Sequence, residues 1–465
     1  MMSSIRSALS LALLLAFPPA LQAGPLQDHQ GRWLGSMVIP NGPTLKIGAE
    51  FFTRADGSVW ASAASTDQHS YDIPVSTIKE DGDTVELDLN VAKLKLTWAK
   101  DHFEGVFSQG DGVFAFPLHR VAEFPRKARP QTPKAPFPYT DEQLSIATPD
   151  GVTLGATLTM PHAKERPNLV VLVAGSGPAT RDNNIAGHQG FLVIADYLAR
   201  QGIAVLRYDK RGNGRSTGDY AQLTTAQLVD DLGAVMKTVN QRNEFRQVGI
   251  VGFSEGPGIA AAVAARDPQA ADFIVSLAGV GLPGHELILL QDRLVAKDNG
   301  ANPAEVERLM VYVRAWYGTI LAHPEPQPRI AALKALYAGL PAADRALVEK
   351  YEMNVHSLSL AEAEKPHLRT LLQRNPQDDW RKVKAPVLAL NGSLDHQVPA
   401  SENLAGITRA LKAGGNRRVE SRVMPSLNHL FQTAKTGSTS EYDKIEETIA
   451  PAALARIAAF VKKQR

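Results

Sequence analysis

The 465-residue chain contains no cysteine. This absence excludes disulfide bonds, thiolate metal sites, a cysteine nucleophile and a lipid-anchored cysteine. Neither sign of charge dominates, because 50 Lys and Arg stand against 48 Asp and Glu, a formal net charge of +2. So small a charge speaks against nucleic acid or an acidic membrane surface as the main partner. No run of 18 apolar residues follows the N-terminal segment, so no membrane span is expected in the mature protein.

The N-terminal segment, MMSSIRSALSLALLLAFPPALQA, differs from everything after it. Arg6 supplies a positive charge, a largely apolar stretch runs from Ala8 to Phe17, two prolines follow, and Ala23 is a small residue suited to cleavage. This order is typical of a secretory signal peptide. A membrane anchor or a buried helix is the alternative, but the apolar stretch is too short to span a bilayer. We expect residues 1–23 to be removed and the mature protein to be periplasmic or secreted.

The rest of the chain is too long for one hydrophobic core, and its pattern divides it. Short alternating runs separated by Asn-Gly and Asp-Gly pairs predict a small all-β domain at 24–120. A segment rich in proline and basic residues predicts a semi-rigid linker at 121–139, or alternatively a proline-rich ligand for a partner. Beyond it, an α/β core is predicted in two parts, 140–281 and 376–465, separated by a helix-rich insertion at 282–375.

The α/β core is predicted from apolar runs that alternate with helical patterns. NLVVLVAG, IAVLRYD, QVGIVGFS and DFIVSLAG are continuous apolar strands of the kind that helices cover on both faces. Such alternation predicts a mostly parallel, doubly wound sheet. An insertion of about 95 residues between two of its strands is the usual form of a lid over a site.

One serine lies between two glycines where a predicted strand turns into a helix, in GFSEG at residues 252–256. The pattern G-x-S-x-G is common by chance, and a tight turn of small residues is the simpler explanation. The predicted buried strand before the pattern and the predicted helix after it favour a different explanation, in which the serine is a nucleophile on a strained turn. Ser254 is therefore the predicted nucleophile.

A serine nucleophile needs a base, and the base needs an orienting carboxylate. Asp395 follows the predicted strand APVLALNG, and His429 follows RRVESRVMP. Loops at the carboxyl ends of parallel strands converge on one edge of a sheet, so we predict Asp395 and His429 as the partners of Ser254. The rival histidines are His396, which directly follows Asp395, and His356 and His367 in the insertion. The rival acids are the neighbouring residues Asp378 and Asp379, upstream of Asp395.

The oxyanion of an acyl-transfer reaction needs two backbone donors. One predicted donor is the N–H of Glu255, at the start of a helix. The other is the N–H of Ser176, in the glycine-rich loop AGSGPATRD. The alternative is that this loop is only a turn.

Several other patterns are incomplete. RGNGRSTGD misses the spacing of a dinucleotide-binding loop, no phosphate-binding Lys-Ser/Thr loop occurs, and His285-Glu286 lacks the second histidine of a zinc helix. Nothing in the sequence therefore calls for a nucleotide or a metal.

Five stretches together resemble a known family: VAGSGPATRD, LRYDKRGNGRSTGD, VGFSEGPG, LALNGSLDHQVP and LNHLFQ. They are similar to bacterial α/β-hydrolase carboxylesterases, in the branch with an N-terminal β-domain (the EstD-like esterases) that is related to serine-aminopeptidase-like hydrolases. The resemblance implies hydrolysis of short acyl esters, a small-molecule substrate and no cofactor. Phe253 and Pro257 depart from the family, which often has His and Gly at these two positions, and these departures bear on the substrate range more than on the catalytic residues.

The sequence thus predicts a serine carboxylesterase. A serine peptidase on the same fold is the nearest alternative, although no group that would capture a peptide terminus is evident. A non-catalytic binding protein on a hydrolase fold is the more distant one.

Overall fold

The structure, a computed structural model, describes residues 24–162, 165–351, 353 and 358–464. The predicted signal peptide, residues 1–23, lies outside the described residues. Within them no helix combines the length and apolar character needed to cross a membrane.

The N-terminal domain is a nine-stranded antiparallel sheet preceded by one short helix. That helix, α1 (Pro25–Asp28), was not predicted and covers one end of the core. The strands are β1 (Gly31–Val38), β2 (Thr44–Thr53), β3 (Val59–Ser65), β4 (Ser70–Pro74), β5 (Thr77–Asp81), β6 (Thr84–Asp88), β7 (Lys93–Ala99), β8 (His102–Gln109) and β9 (Gly112–Val121). Their order in the sheet is β4-β3-β2-β1-β9-β8-β7-β6-β5.

The sheet of this domain curls around one apolar core. Side chains from both halves of the sheet meet there, including Trp33 and Phe51 from one half and Leu87, Leu94 and Phe103 from the other. Alternating burial along the strands, as in the buried–exposed repeat of Lys93–Leu96, is what a sheet with one face in the core requires.

The segment between the two domains, residues 122–138, contains neither helix nor strand. It is held against the second domain by Arg129, which is 5% exposed. The Arg129 guanidinium donates to the carbonyl oxygens of Ile445 at 2.6 Å and Asp443 at 2.9 Å. The segment is therefore attached to the second domain at Arg129.

The two domains also contact each other directly. On β4, the Asp72 carboxylate accepts hydrogen bonds from the Asn184 amide at 2.6 Å and the Thr180 hydroxyl at 3.2 Å. At the turn between β2 and β3, Ala55 N–H donates to the Arg215 carbonyl at 2.8 Å. The β-domain is thus fastened to two loops of the second domain.

The second domain is built on an eight-stranded sheet in the order β10-β11-β15-β12-β16-β17-β18-β19. Its strands are β10 (Tyr139–Ala147), β11 (Thr153–Pro161), β12 (Leu169–Val173), β15 (Ala204–Tyr208), β16 (Val248–Phe253), β17 (Phe273–Leu277), β18 (Val387–Gly392) and β19 (Val419–Met424). The six strands from β15 to β19 in that order pair in parallel, while β10 and β11 form an antiparallel edge. A separate hairpin is formed by β13 (Asn184–Ile185) and β14 (His188–Gln189).

Helices cover both faces of this sheet. α3 (Thr225–Arg242), α4 (Gly256–Arg266) and α12 (Ala400–Ala413) bury apolar side chains on one face, while α2 (Gly190–Arg200) and α13 (Pro451–Lys462) cover the other. The central strands β12, β16 and β17 are buried along their whole length, which explains their continuous apolar sequences.

A helical insertion separates β17 from β18. It comprises α5 (Gly284–Asp298), α6 (Pro303–Ala322), α7 (Pro326–Ala338), α8 (Ala342–Lys350), α9 (Leu360–Glu364), α10 (Pro366–Gln373) and α11 (Pro376–Trp380). Most of its helices share an apolar core of their own, centred on Trp316 and Tyr312 of α6. The last helix, α11, packs instead on α4 and α12 of the sheet domain.

Candidate active site

Ser254 stands on a strained turn between β16 and α4. Its φ of +59° lies in the left-handed region, which a residue with a side chain rarely adopts. The flanking glycines make the turn possible, because a Cβ on Gly252 would lie 2.5 Å from the Pro257 nitrogen and one on Gly256 would lie 2.3 Å from the Val173 oxygen. Pro257 sits in the first turn of α4, where its missing N–H costs nothing.

The predicted base and acid meet at Ser254. His429 Nε2 is 3.2 Å from Ser254 Oγ, and His429 Nδ1 is 2.9 Å from Asp395 Oδ2. The His429 and Asp395 side chains are 4% and 0% exposed. The other oxygen of Asp395 accepts the backbone N–H groups of Gln397 at 2.9 Å and Val398 at 2.8 Å. These bonds hold the carboxylate in place and leave Oδ2 facing the histidine.

The loop that carries His429 is supported from beneath by a buried histidine. Gln432 Nε2 lies 3.0 Å from His188 Nε2, and the Gln432 amide also binds Asn428 next to His429. His188 Nδ1 is 2.9 Å from the Thr448 hydroxyl. Burial lowers the pKa of His188 to about 4 and the positive charge of nearby Arg129 adds to the effect, so this imidazole is neutral at pH 7.

The rival histidines His396 and His367 are bonded to carboxylates other than Asp395. His396 Nδ1 is 2.9 Å from Asp298 at the end of α5, and His367 Nε2 is 2.9 Å from the Glu255 carboxylate. His356 lies outside the described residues.

The rival acids are paired with arginines. Asp378 accepts from Arg381 at 2.6 Å, and Asp379 accepts from Arg374 at 2.8 Å. Neither carboxylate is bonded to His429, whose carboxylate partner in the described part of the chain is Asp395.

The two predicted oxyanion donors, Ser176 and Glu255, line the same cavity as Ser254. Within the described residues, neither backbone N–H donates a hydrogen bond to a protein acceptor. The loop of Ser176 is also close to the nucleophile, since a Cβ on Gly175 would lie 3.3 Å from Ser254 Oγ. Two backbone donors are thus left free beside the serine hydroxyl.

The Glu255 side chain has a structural task that the sequence analysis missed. Its buried carboxylate accepts a hydrogen bond from Ser176 Oγ at 3.1 Å and pairs with His367 on α10. Burial alone would raise the pKa of Glu255, but the charge and hydrogen bond of His367, helped by Lys210 and Ser176, lower that pKa to about 2. The carboxylate is therefore ionised and links the loop of Ser176 to the helical insertion.

Lys210 was also missed by the sequence analysis. Its Nζ donates to the Gly175 carbonyl at 2.5 Å and to the Gly177 carbonyl at 2.8 Å. Burial lowers the pKa of Lys210, and the negative charge of Glu255 opposes that effect. The available signal was its position, because Lys210 follows β15 at the same edge of the sheet as the other site residues.

Ser254 opens into a cavity of about 240 Å³ between the sheet domain and the helical insertion. Its walls are mainly apolar, with residues of the insertion on one side. The lining residues are Gly175, Ser176, Asn183, Ile185, Phe253, Ser254, Glu255, Val280, Leu287, Ile288, Gln291, Leu371, Gln397, Val398, His429 and Leu430. Glu255 supplies the only carboxylate among them.

A larger cleft of about 780 Å³ lies between the two domains. None of Ser254, His429 and Asp395 lines it, and ion pairs such as Arg32–Glu50 and Arg181–Asp209 occupy much of its wall. The space onto which Ser254 and His429 open is therefore the smaller cavity. Among the residues that the structure describes, no group of His, Asp and Glu is arranged to hold a metal ion.

The sheet order, the strained serine turn and the Ser–His–Asp arrangement are together those of an α/β hydrolase. A family model described as "Serine aminopeptidase, S33", a hydrolase family, matches residues 185–433, more than half of the chain. The chain belongs to this family. The resemblance predicted from the five motifs is thereby confirmed.

One curated relative and two solved structures add to this comparison. Esterase EstD of Thermotoga maritima is 25% identical over 292 residues, which span 63% of this chain and 61% of that protein. The Pyrococcus furiosus esterase Pf2001 is 16% identical with a TM-score of 0.42, over 73% of this chain and 97% of the other. Proline iminopeptidase of Mycobacterium smegmatis is 18% identical with a TM-score of 0.43, over 70% and 98%.

Proposed function

We propose that the protein is a serine carboxylesterase that hydrolyses short-chain acyl esters of small molecules. The observation that carries the proposal is the continuous chain of contacts from Ser254 Oγ through His429 to Asp395. A hydroxyl is a weak nucleophile, and this arrangement is the one that activates it.

The proposed reaction uses each group in turn. Ser254 Oγ attacks the ester carbonyl carbon while His429 Nε2 takes its proton, and Asp395 orients the imidazole and stabilises its charged form. The N–H groups of Ser176 and Glu255 receive the negative charge that develops on the carbonyl oxygen. His429 then protonates the leaving alcohol, and a water molecule, activated by the same imidazole, releases the acid from Ser254.

The size and lining of the cavity support a preference for short acyl chains. Its volume is about 240 Å³, and Leu287, Ile288 and Leu371 of the insertion line it. In this role the insertion is a lid that limits the acyl pocket and excludes bulk polymers. We expect the highest kcat/KM with acyl chains of about eight carbons or fewer, measured on p-nitrophenyl esters of increasing length. A maximum on long-chain esters would contradict the proposed pocket.

The family description raises a serine peptidase as the second candidate. An aminopeptidase needs an anionic group free to bind the substrate's amino terminus. The one carboxylate in the cavity lining, Glu255, is already engaged by Ser176 and His367. The name of the T. maritima relative, an esterase, also favours ester hydrolysis. Assaying p-nitrophenyl esters beside aminoacyl p-nitroanilides separates the two activities.

We also propose that the enzyme acts outside the cytoplasm, after removal of residues 1–23. The support is the signal-peptide pattern of the sequence. Sequencing of the N-terminus of protein isolated from its host should find a start close to Gly24, and a start at Met1 or Met2 would contradict the export.

Substitutions test the catalytic assignment. Ser254→Ala should lower kcat by about 10³-fold or more with the fold intact, because the members of such a triad act as a unit. His429→Ala should lose nearly as much, and Asp395→Asn somewhat less. His396→Ala is the matched control, since His396 also pairs with an aspartate, but that aspartate is Asp298 of the insertion. If His429→Ala kept full activity while His396→Ala lost it, the assignment of His429 as the base would be wrong.

A further inference from the structure

The peptide group between Gly175 and Ser176 connects Lys210 to the proposed oxyanion site. The Gly175 carbonyl, which accepts a hydrogen bond from Lys210 Nζ at 2.5 Å, belongs to the same peptide as the Ser176 N–H. A trans peptide is planar, so its oxygen and its hydrogen point in opposite directions. A group that binds the oxygen therefore fixes the direction of the N–H on the far side.

Lys210 binds this peptide from a buried position. The residue is 5% exposed, and lysine is rarely so buried unless its amine is satisfied. The second bond, at 2.8 Å, goes to the carbonyl of the Gly177–Pro178 peptide, so one amine holds the loop both before and after Ser176. The hydroxyl of Ser176 is held separately by Glu255. The loop around Ser176 is thus held at three points in the described structure.

The hydrogen bond to the carbonyl also changes the strength of the N–H donor. Hydrogen bonds in series polarise one another, most of all in a site with a low local dielectric constant. An amine on the Gly175 oxygen withdraws electron density from the peptide and makes the Ser176 N–H a better donor. Ser176 N–H donates to no protein acceptor within the described residues, so this strengthened donor is free for substrate.

We propose that Lys210 is a positioning residue of the esterase: it holds and polarises the Gly175–Ser176 peptide so that the Ser176 N–H stabilises the oxyanion. This inference rests on the proposed function. Lys210 touches no reacting atom and acts through the peptide. The contribution of Lys210 is largest in the transition state, when the carbonyl oxygen of the substrate carries negative charge. Lys210 therefore raises kcat and leaves KM nearly unchanged.

The test compares Lys210→Met with Lys384→Met. Lys384 is a matched control because its Nζ also donates to a backbone carbonyl, that of Gly414 at 2.7 Å, on an exposed surface away from the cavity. Loss of an oxyanion donor costs about 10²–10³-fold in kcat, and a donor that is weakened rather than lost should cost about 10–10²-fold. We expect that decrease in kcat for Lys210→Met with KM within about twofold, and wild-type values for Lys384→Met.

A transition-state analogue provides a readout that general destabilisation would not move. Ser254 adds to a short alkyl trifluoromethyl ketone, and the ketone oxygen becomes an oxyanion in the same position as in the reaction. The inhibition constant should rise in Lys210→Met by the same factor by which kcat falls, while the inhibition constant of the corresponding alcohol, which forms no oxyanion, should not change. Unchanged kcat and unchanged ketone affinity in a folded Lys210→Met would overturn the inference.

The outcomes are distinguishable from failure of the proposed function. A wild-type protein that hydrolyses no ester contradicts the esterase itself, whereas an active wild type with an equally active Lys210→Met contradicts only the role of Lys210. If Lys210→Met does not fold, Lys210→Gln, which keeps an amide donor, is expected to show a smaller loss of the same kind, and full activity there would overturn the inference. If neither folds, the Lys210 Nζ signal of wild-type protein labelled with ¹⁵N-lysine must shift when the ketone adduct forms, and an unshifted signal refutes the inference.

Discussion

The buried histidine beneath the catalytic loop makes stability depend on pH in a direction that can be worked out. His188 is 2% exposed, and its pKa falls from 6.5 to about 4 in the folded protein. The unfolded chain therefore binds a proton on this residue between pH 6.5 and pH 4 that the folded protein does not bind. The stability that His188 contributes is fully present above pH 6.5 and is lost as the pH falls from 6.5 towards 4.

The size of the loss follows from the shift in pKa. A shift of about 2.5 units corresponds to about 3 kcal/mol once the pH is below both pKa values, and to about 2 kcal/mol at pH 5. Removing the titrating group by His188→Gln should remove this part of the pH dependence. The variant is expected to be less stable than the wild type at pH 8, because its side chain cannot reproduce the bonds to Thr448 and the Tyr442 carbonyl, but this difference should shrink by about 2 kcal/mol at pH 5.

Urea denaturation of both proteins at pH 8 and pH 5 measures the effect as a double difference, in which all other titrating groups cancel. His119→Gln, which replaces an exposed histidine of the β-domain in the same way, is the matched control. Equal pH dependence in the wild type and in His188→Gln would refute the reasoning, because a histidine that is buried and neutral cannot be removed without that change.

Two further predictions concern the walls of the site. Phe253 lines both the cavity at Ser254 and a separate apolar cavity of about 40 Å³. Phe253→Ala should therefore join the two spaces and shift the preferred p-nitrophenyl ester towards longer acyl chains. An unchanged chain-length profile would contradict this prediction. Asp72→Ala should lower kcat/KM by about tenfold or more, because the bonds to Thr180 and Asn184 hold the loop that carries the oxyanion donor and a small displacement is costly. Steady-state kinetics of Asp72→Ala are compared with those of Asp67→Ala, a control at an exposed acid of the same domain. A kcat/KM equal to that of the wild type in both variants would refute the second prediction.

Local patterns account for the parts of the site that the sequence predicts. The glycines around Ser254 are needed by the backbone itself, since a Cβ on either would overlap backbone atoms of nearby residues. Asp395 and His429 follow strands, and the ends of parallel strands meet at one edge whatever the details of packing. The structure does bring these three residues together as the spacing indicates.

The rest depends on contacts between distant segments, which no local pattern encodes. Lys210 and His367 are 35 and 112 residues away from their partners Gly175 and Glu255. Asp72 belongs to the β-domain, whose contact with the loop of the sheet domain follows from how two folded units dock. The short helix α1 was missed for another reason, since four residues are too few for a periodic pattern.

The central claim is that Ser254 is an activated nucleophile, and covalent labelling with a fluorophosphonate tests it most directly. Only a serine whose proton is taken by a neighbouring base reacts readily with such a reagent. The account predicts one modified peptide in the wild-type protein, carrying the label on Ser254, no label in Ser254→Ala, and strongly slowed labelling in His429→Ala. A wild-type protein that stays unlabelled, or that carries the label on another serine and retains it in Ser254→Ala, would contradict the account.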